Sequence, residues 1–324
     1  MEEPELEIPA PRPPAGPKVR QVLMAQLAFC ILGSLLGALV FQAIAIACGW
    51  DVDALRSTFS ADAPPGQVWQ MRFLLALSHL FTFVLAGWAT VRVFYPINDF
   101  SRSWRLDWPS YLGGRQWPSG SVLGTGILIM LASLPAVLFS YTINKLVPLP
   151  EWVHQMENDT TEALKALLRM NGPLELLANL SLLAVLPAIG EELVFRGVLQ
   201  RQLMRRIANP YTAILISAAI FSFVHFQFEG FLPRWLLGIL LGWLYWRTGN
   251  FWVPVFAHFV NNALQVLGQY LYSKDLSNVN FEQDVDVPWA GALISVALLF
   301  ALVRLLDRQL PAPAQEHSPD DFKL

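Results

Sequence analysis

Long apolar stretches alternate with short polar connections along most of the chain. Most of them approach the roughly 20 residues that a helix needs to cross the hydrocarbon core of a bilayer. The stretches are Val22–Ala47, Val68–Phe94, Val122–Ile143, Leu174–Ile189, Tyr211–Phe226, Trp235–Trp246, Phe251–Tyr272 and Trp289–Leu306. This pattern predicts an all-α fold, a polytopic transmembrane bundle of about eight helices. Because Trp235–Trp246 is short for a full crossing, we expect the segment before it to turn inside the protein.

Basic and acidic residues occupy alternate connections between these stretches, which predicts the orientation of the bundle. The basic side carries Lys18, Arg20, Arg102, Arg105, Arg115, Arg196, Arg201, Arg205, Arg206, Arg247, Arg304 and Arg308. The other side carries Asp51, Asp53, Asp62, Glu151, Glu157, Asp159, Asp275, Glu282, Asp284 and Asp286. Since basic residues favour the cytoplasmic side, we expect both termini to be cytoplasmic and the chain to be a multi-pass protein of the cell (inner) membrane.

Composition agrees with a membrane protein whose surroundings are the lipid bilayer. Hydrophobic residues make up 54% of the 324 residues, charged residues only 15%, and the mean hydropathy is +0.43. A net charge of -3 gives no electrostatic reason for a nucleic-acid partner. Cys30 and Cys48 lie on one predicted helix about 27 Å apart, too far for a disulfide bond.

A first polar cluster, G-E-E-L-V-F-R-G, follows the fourth apolar stretch. Glu192 and Arg196 are four residues apart, so on a helix they share a face and pair. Glu191 points about 100° away and has no local partner, which leaves its carboxylate available as a general base. The alternative is a helix end whose charged groups reach the interface.

Two further clusters fall in the fifth and seventh stretches. In F-S-F-V-H, Phe221 lies one turn before His225 and is positioned to wall a pocket. In H-F-V-N-N, His258 and Asn262 share one helix face, and Pro254 is expected to bend that helix. Each cluster alone is compatible with a packed histidine or an interhelical hydrogen bond. Together they supply a carboxylate, two imidazoles and an amide, the parts of a hydrolytic site.

In their order, the three clusters resemble the CPBP family, which comprises the type II CAAX prenyl proteases and the bacteriocin-processing membrane proteases, also called the ABI family. Its pattern is E-E-x-x-x-R, then F-x-x-x-H, then H-x-x-x-N/D, and the resemblance covers roughly residues 174–267. It implies an intramembrane endopeptidase acting on a peptide or membrane-protein substrate. Residue by residue, the resemblance implies that Glu191 activates water, His225 orients that water or polarises the carbonyl, and His258 and Asn262 stabilise the oxyanion. Glu192 and Arg196 would hold the site in shape.

Metal dependence stays open at this point. Glu191, His225 and His258 could form a zinc site with one open position. We expect instead a metal-free, glutamate-type protease, in which the carboxylate deprotonates water without a Lewis acid.

Two other classes of function remain alternatives. One is a non-catalytic immunity or scaffold protein of the same fold. The other is a proton-coupled transporter that uses Glu191, His225 and His258 as a relay, although the absence of an internal repeat disfavours it. His79, in the second stretch, is interpreted as a packed or hydrogen-bonded residue.

These observations divide the chain into five parts. Residues 1–20 are expected to form a disordered, proline-rich arm and residues 311–324 a disordered tail. Residues 21–173 hold the N-terminal membrane helices and loops, residues 174–272 the catalytic membrane core, and residues 273–310 the last membrane helix.

Overall fold

The computed structural model describes residues 17–52, 62–95, 111–114, 116–277 and 287–311, and within these ranges all regular secondary structure is helical. The main helices are α1 (Val19–Ala47), α2 (Pro65–Phe94), α3 (Gly120–Asn144), α4 (Glu151–Leu168), α5 (Pro173–Met204), α6 (Pro210–Phe223), α7 (Phe231–Thr248), α8 (Trp252–Ser273) and α9 (Trp289–Gln309). The all-α prediction is therefore confirmed.

Five of these helices, α1, α2, α3, α5 and α9, are long and apolar enough to cross a membrane. The chain is thus a multi-pass membrane protein. The count of about eight membrane helices and the cytoplasmic location of both termini stay predictions. Most of the proline-rich arm and of the C-terminal tail lies outside the described residues, as do Arg102, Arg105 and Arg115.

Local sequence signals explain where several helices begin and end. At the start of α3, the hydroxyl of Ser119 accepts a hydrogen bond from the backbone N–H of Val122, and Asn209 caps α6 through the N–H of Tyr211. Prolines occupy the first positions of α2, α5 and α6, where no backbone N–H is needed. Gly249 ends α7 with a φ of 60°, a left-handed conformation that glycine adopts without strain.

Helix α5 is longer than the apolar pattern predicts. The predicted stretch stops at Ile189, whereas the helix continues to Met204. A hydropathy criterion ends the stretch at the charged motif. Because Glu192 and Arg196 pair with each other inside the protein, the helix can continue through the motif. Two segments of α5, Leu180–Val185 and Leu193–Gln200, are π-helical, and Leu80–Leu85 in α2 is as well. Such segments occur often at functional sites.

The bundle is organised around α3 and α5. Helix α3 packs against α7, α8 and α9, and α5 packs against α2, α6 and α8. The core beside α3 is built from aliphatic side chains of four helices, among them Ile129, Met130, Leu241, Leu244, Ala257 and Leu306. Helix α5 thus packs against both α6 and α8 in the interior. The three polar clusters lie on these helices or directly after them.

A buried arginine connects α2 to two later parts of the chain. Arg72 is 4% exposed, and its Nε donates to Oδ1 of Asn179 at 2.9 Å. Its Nη2 donates to the carbonyl oxygens of Leu167 and Arg169, at the end of α4, at 2.9 and 3.0 Å. A cation in this position satisfies carbonyls that the end of a helix leaves unpaired.

We predict that Arg72→Leu lowers the free energy of unfolding by about 2–5 kcal/mol. The substitution leaves the Asn179 and Arg169 oxygens without their donor, and each buried unpaired group costs about 1–3 kcal/mol. Unfolding in detergent, followed by circular dichroism, measures the loss. The control is Arg304→Leu, at an exposed position of α9. Equal stability of the two variants would contradict the role given to Arg72.

Candidate functional site

The three clusters meet where α5, the end of α6, and α8 approach each other. Glu191, Glu192 and Arg196 lie within α5 and are 6%, 0% and 1% exposed. His258, on α8, is 3% exposed. These residues are buried in protein, so the alternative of charged groups reaching out to the interface does not hold for this cluster.

Glu192 is the centre of a buried polar network. Its Oε1 accepts hydrogen bonds from Nη1 of Arg196 at 2.7 Å and from Nδ1 of His258 at 2.8 Å. Nη2 of Arg196 also donates to the carbonyl oxygen of Gly238 on α7, at 3.0 Å. The predicted Glu192–Arg196 pair is confirmed, and the network adds α7 and α8 to it. Since a carboxylate only accepts, Nδ1 of His258 carries a proton and its Nε2 is directed away from Glu192.

Glu191 stands apart from this network, as helix geometry predicts. Its Oε2 lies 3.9 Å from Nε2 of His258. Its Oε1 lies 3.7 Å from Nε2 of His79, which is on α2. The Glu191 carboxylate therefore has one imidazole nitrogen near each oxygen, and neither is within ordinary hydrogen-bond distance.

Phe221 forms the aromatic wall of the site. Its ring is 2% exposed and lies 4.9 Å from the His225 ring and 6.1 Å from the His258 ring. The Arg196 guanidinium lies over the same ring, 4.8 Å from its centre. Phe221 thus contacts both histidines and the arginine that holds Glu192, and its role as a pocket wall stays a prediction.

His225 lies beyond the end of α6 rather than within a helix. The helix stops at Phe223, and His225 belongs to a turn that leads to Phe226, whose φ is 52°. Its Nδ1 is 2.7 Å from the carbonyl oxygen of Phe221. Because that oxygen can only accept, Nδ1 is the donor and Nε2 is left for other contacts. The apolar pattern does not reveal this turn, because Val224 and Phe226 on either side of His225 are as apolar as the helix before them.

Asn262 satisfies a backbone carbonyl of α5. Its Nδ2 donates to the carbonyl oxygen of Leu183 at 3.1 Å. Pro187, four residues after Leu183, has no N–H to offer that oxygen, so the Asn262 amide supplies a donor in its place. The amide nitrogen has a second hydrogen, which remains for a ligand.

Pro254 does not bend α8, contrary to expectation. Helix α8 begins at Trp252, so Pro254 lies in its first turn, where an N–H has no intrahelical partner in any case. Asn250 marks this helix start, because its Oδ1 accepts a hydrogen bond from the backbone N–H of Trp252 at 2.9 Å.

The candidate metal ligands do not form a metal-binding group in the described ranges. Among those residues, no set of three or more His, Cys, Asp or Glu side chains is arranged to hold a metal ion. Glu191, His225 and His258 are therefore described here only as acid, base and hydrogen-bonding groups.

An apolar cavity of about 480 Å³ lies between α2 and α5, beside the site. Its lining includes Trp69, Phe73, Ala76, Val84, Leu182 and Ile189. Ala76 is three residues before His79, and Ile189 is two residues before Glu191. The cavity lining thus includes residues that lie within one helical turn of His79 and Glu191 along the chain.

Sequence reasoning missed His79 as a site residue. It was interpreted as a packed residue, although an ionisable group inside an apolar stretch was the signal that singled out His225. The sequence pattern does not show that α2 approaches α5. This approach brings together His79 and Glu191, which are more than a hundred positions apart.

Comparison with known proteins agrees with this geometry. Residues 173–264, which include all three clusters, match the family model described as type II CAAX prenyl endopeptidase Rce1-like. The matched segment is thus similar to the same protease family that the three clusters resemble. No solved structure gives a significant match.

Three curated relatives are similar to parts of this chain. "Putative membrane peptidase YdiL" of Bacillus subtilis (strain 168) is 29% identical over 147 residues, which cover 45% of this chain and 58% of the relative. "Uncharacterized protein YpbD" of the same organism is 42% identical over 89 residues, covering 25% and 41%. "UPF0177 protein YxdF" of Lactococcus lactis subsp. lactis (strain IL1403) is 29% identical over 105 residues, covering 31% and 57%. The chain thus spans about half the length of the curated relatives it matches.

We predict that breaking the Glu192–Arg196 pair lowers the stability of the protein far more than changing Glu191 does. Arg196→Met leaves the Glu192 carboxylate buried without its main cation and should lower the free energy of unfolding by about 3–5 kcal/mol. Glu191→Gln keeps the shape of a side chain that lies outside the network, so its effect should stay within about 1 kcal/mol. Thermal unfolding in the same detergent compares the two, and equal losses would contradict the separation of roles.

Proposed function

We propose that this protein is an intramembrane endopeptidase of the CPBP family with Glu191 as the general base. The observation that carries the proposal is the buried Glu191 carboxylate, which lies outside the Glu192 network and has imidazole nitrogens 3.7 and 3.9 Å from its two oxygens. A carboxylate in such surroundings is suited to accept a proton from water. The match of residues 173–264 to an endopeptidase family supports the same activity.

In the proposed reaction, Glu191 removes a proton from a water molecule while the water oxygen bonds to the carbonyl carbon of the scissile peptide. The resulting tetrahedral intermediate carries its negative charge on the former carbonyl oxygen. When the C–N bond breaks, the proton held by Glu191 passes to the leaving amine nitrogen. One water is consumed, and a carboxylic acid and an amine are formed.

The other residues of the site act on the water and on the oxyanion. His225, with Nδ1 bound to the Phe221 carbonyl oxygen, presents Nε2 to orient the water. His258 presents Nε2 on the Glu191 side because Glu192 holds its Nδ1. His258, as an imidazolium whose Nε2–H donates, and the second amide hydrogen of Asn262 are proposed to stabilise the oxyanion, a contribution that preorganised donors commonly make.

The proposed substrate is a peptide that enters from, or is anchored in, the membrane. The support is the apolar cavity between α2 and α5, whose lining includes residues within one helical turn of His79 and Glu191 and which is suited to apolar side chains.

We predict that Glu191→Gln reduces kcat for peptide cleavage by at least about 100-fold. Removing a general base typically costs 10²–10⁴-fold, and glutamine keeps the size of the side chain while losing its basicity. Cleavage of a fluorogenic peptide library by purified protein measures the effect, with unfolding curves to show that the fold survives.

Glu162→Gln is the matched control, since Glu162 lies on α4 and pairs with Lys165 away from the site. Full activity in Glu191→Gln would end the assignment. If wild type cleaves nothing and Glu191→Gln binds peptides as well as wild type does, a non-catalytic binding protein becomes the better description. Uptake into proteoliposomes driven by a pH gradient would instead support a transporter.

We further propose that the reaction needs no metal ion. The described ranges contain no group of side chains arranged to bind one. The expected outcome is that dialysis against a chelator leaves kcat within about twofold of its starting value. Loss of activity on chelation, with recovery on adding Zn²⁺, would show a metal-dependent enzyme in which the same residues are ligands.

A further inference from the structure

His79 contributes a third imidazole to the site from a helix outside the family match. It is the last residue of α2 before the π-helical segment Leu80–Leu85. Its Nε2 lies 3.7 Å from Oε1 of Glu191, and its side chain is 19% exposed. The matched region begins at residue 173, so His79 is not among the residues that the comparison covers.

Local contacts hold the His79 ring in this orientation. Its Nδ1 lies 3.3 Å from the carbonyl oxygen of Leu75, one turn earlier on α2. The ring also packs against Phe83, with 5.4 Å between ring centres. Because the Leu75 oxygen only accepts, Nδ1 carries the proton, and in the neutral ring Nε2 is the nitrogen that presents a lone pair to Glu191.

The close approach of α2 and α5 that brings His79 to Glu191 depends on a glycine. A Cβ atom at Gly190 would lie 2.9 Å from Cβ of Phe83 and 3.1 Å from Cγ2 of Val84. Any larger residue at position 190 would push the two helices apart. The residue next to Glu191 therefore sets the distance between the carboxylate and the His79 ring.

The charged and titratable groups around the Glu191–His79 pair come from several helices. Glu192 and Arg196 are bound to each other and to His258. His258 approaches Glu191 at the other carboxylate oxygen, and Cys30 of α1 packs against the same buried cluster as Phe83 does. His79 is thus the ring that faces Oε1 without being tied to the Glu192 network.

We propose that His79 is a positioning residue for Glu191 that also shares the proton taken from water. Glu191 takes the proton from water at Oε1, and the resulting O–H donates to the Nε2 lone pair of His79, which fixes the orientation of the carboxyl group. When Glu191 accepts the proton, the proton can move from the carboxyl group to Nε2, which gives a carboxylate and an imidazolium. It returns through Glu191 to the leaving amine nitrogen when the C–N bond breaks, so no proton is gained or lost. This inference rests on the proposed endopeptidase activity.

Two substitutions separate the two parts of this role. In His79→Gln, the amide group stands near the position of Nε2 and can hold Glu191 but cannot take up a proton. In His79→Asn, the amide stands near the position of Nδ1 and cannot reach Glu191. We expect kcat to fall about 10- to 100-fold in His79→Asn, because a misplaced catalytic group costs rates of this order. His79→Gln should retain more activity, with KM within about twofold of wild type in both variants.

The pH profile of kcat is the readout that a purely structural role would not move. We expect the acidic limb of the profile to change shape in His79→Gln, since the proton-accepting ring is gone. His154→Gln is the matched control, because His154 also pairs with a carboxylate, Glu229, at 2.6 Å but on α4, away from the site. Its profile should coincide with that of wild type.

A second measurement does not depend on activity. In protein labelled with ¹⁵N at histidine, the His79 signals are those missing from the spectrum of His79→Gln. We expect these signals to shift in Glu191→Gln and to stay in place in Glu162→Gln.

The outcomes distinguish failure of this inference from failure of the proposed function. If wild type cleaves peptides and His79→Asn keeps the wild-type kcat and pH profile, the role of His79 is wrong while the protease assignment stands. If the His79 signals are unchanged in Glu191→Gln, the pairing itself is wrong. If wild type cleaves no peptide but the signals do shift, the pairing stands and the endopeptidase proposal fails.

Discussion

The buried Glu192 carboxylate holds together the part of the bundle on which the candidate site is built. A carboxylate at 0% exposure is costly to bury unless strong donors surround it. Oε1 of Glu192 has such donors in Arg196 on its own helix and His258 on α8, while Arg196 also binds a carbonyl oxygen of α7. The Glu192–Arg196 pair thus links α5 to α7 and α8.

This arrangement explains why two adjacent glutamates can have different roles. Consecutive residues on a helix point about 100° apart, so Glu192 faces α7 and α8 while Glu191 faces the space between His258 and His79. The stabilising network needs no contribution from Glu191. Its carboxylate can therefore be exposed to a reacting group without weakening the bundle.

Which contacts of the site the sequence predicts depends on how far apart along the chain the contacting residues are. The Glu192–Arg196 pair and the separate direction of Glu191 follow from helix geometry, and both agree with the structure. The contact of His258 with Glu192 joins residues 66 positions apart, so no local rule contains it. The same holds for His79, and for the continuation of α5 to Met204, which depends on pairing that an apolar pattern does not register. The catalytic roles and metal independence stay predictions.

The contact between Asn262 and the Leu183 carbonyl couples two helices in a way that neither shows alone. Pro187 removes a donor from α5, and α8 returns one through a side chain. Moving the proline by a single position would turn the orphaned oxygen about 100° around the helix, out of line with that amide. The position of Asn262 on α8 thus determines where α5 can accommodate a proline. The effects of substitutions at positions 187 and 262 on the free energy of unfolding should be strongly non-additive. The Leu183 oxygen needs the Asn262 donor only while position 187 is a proline.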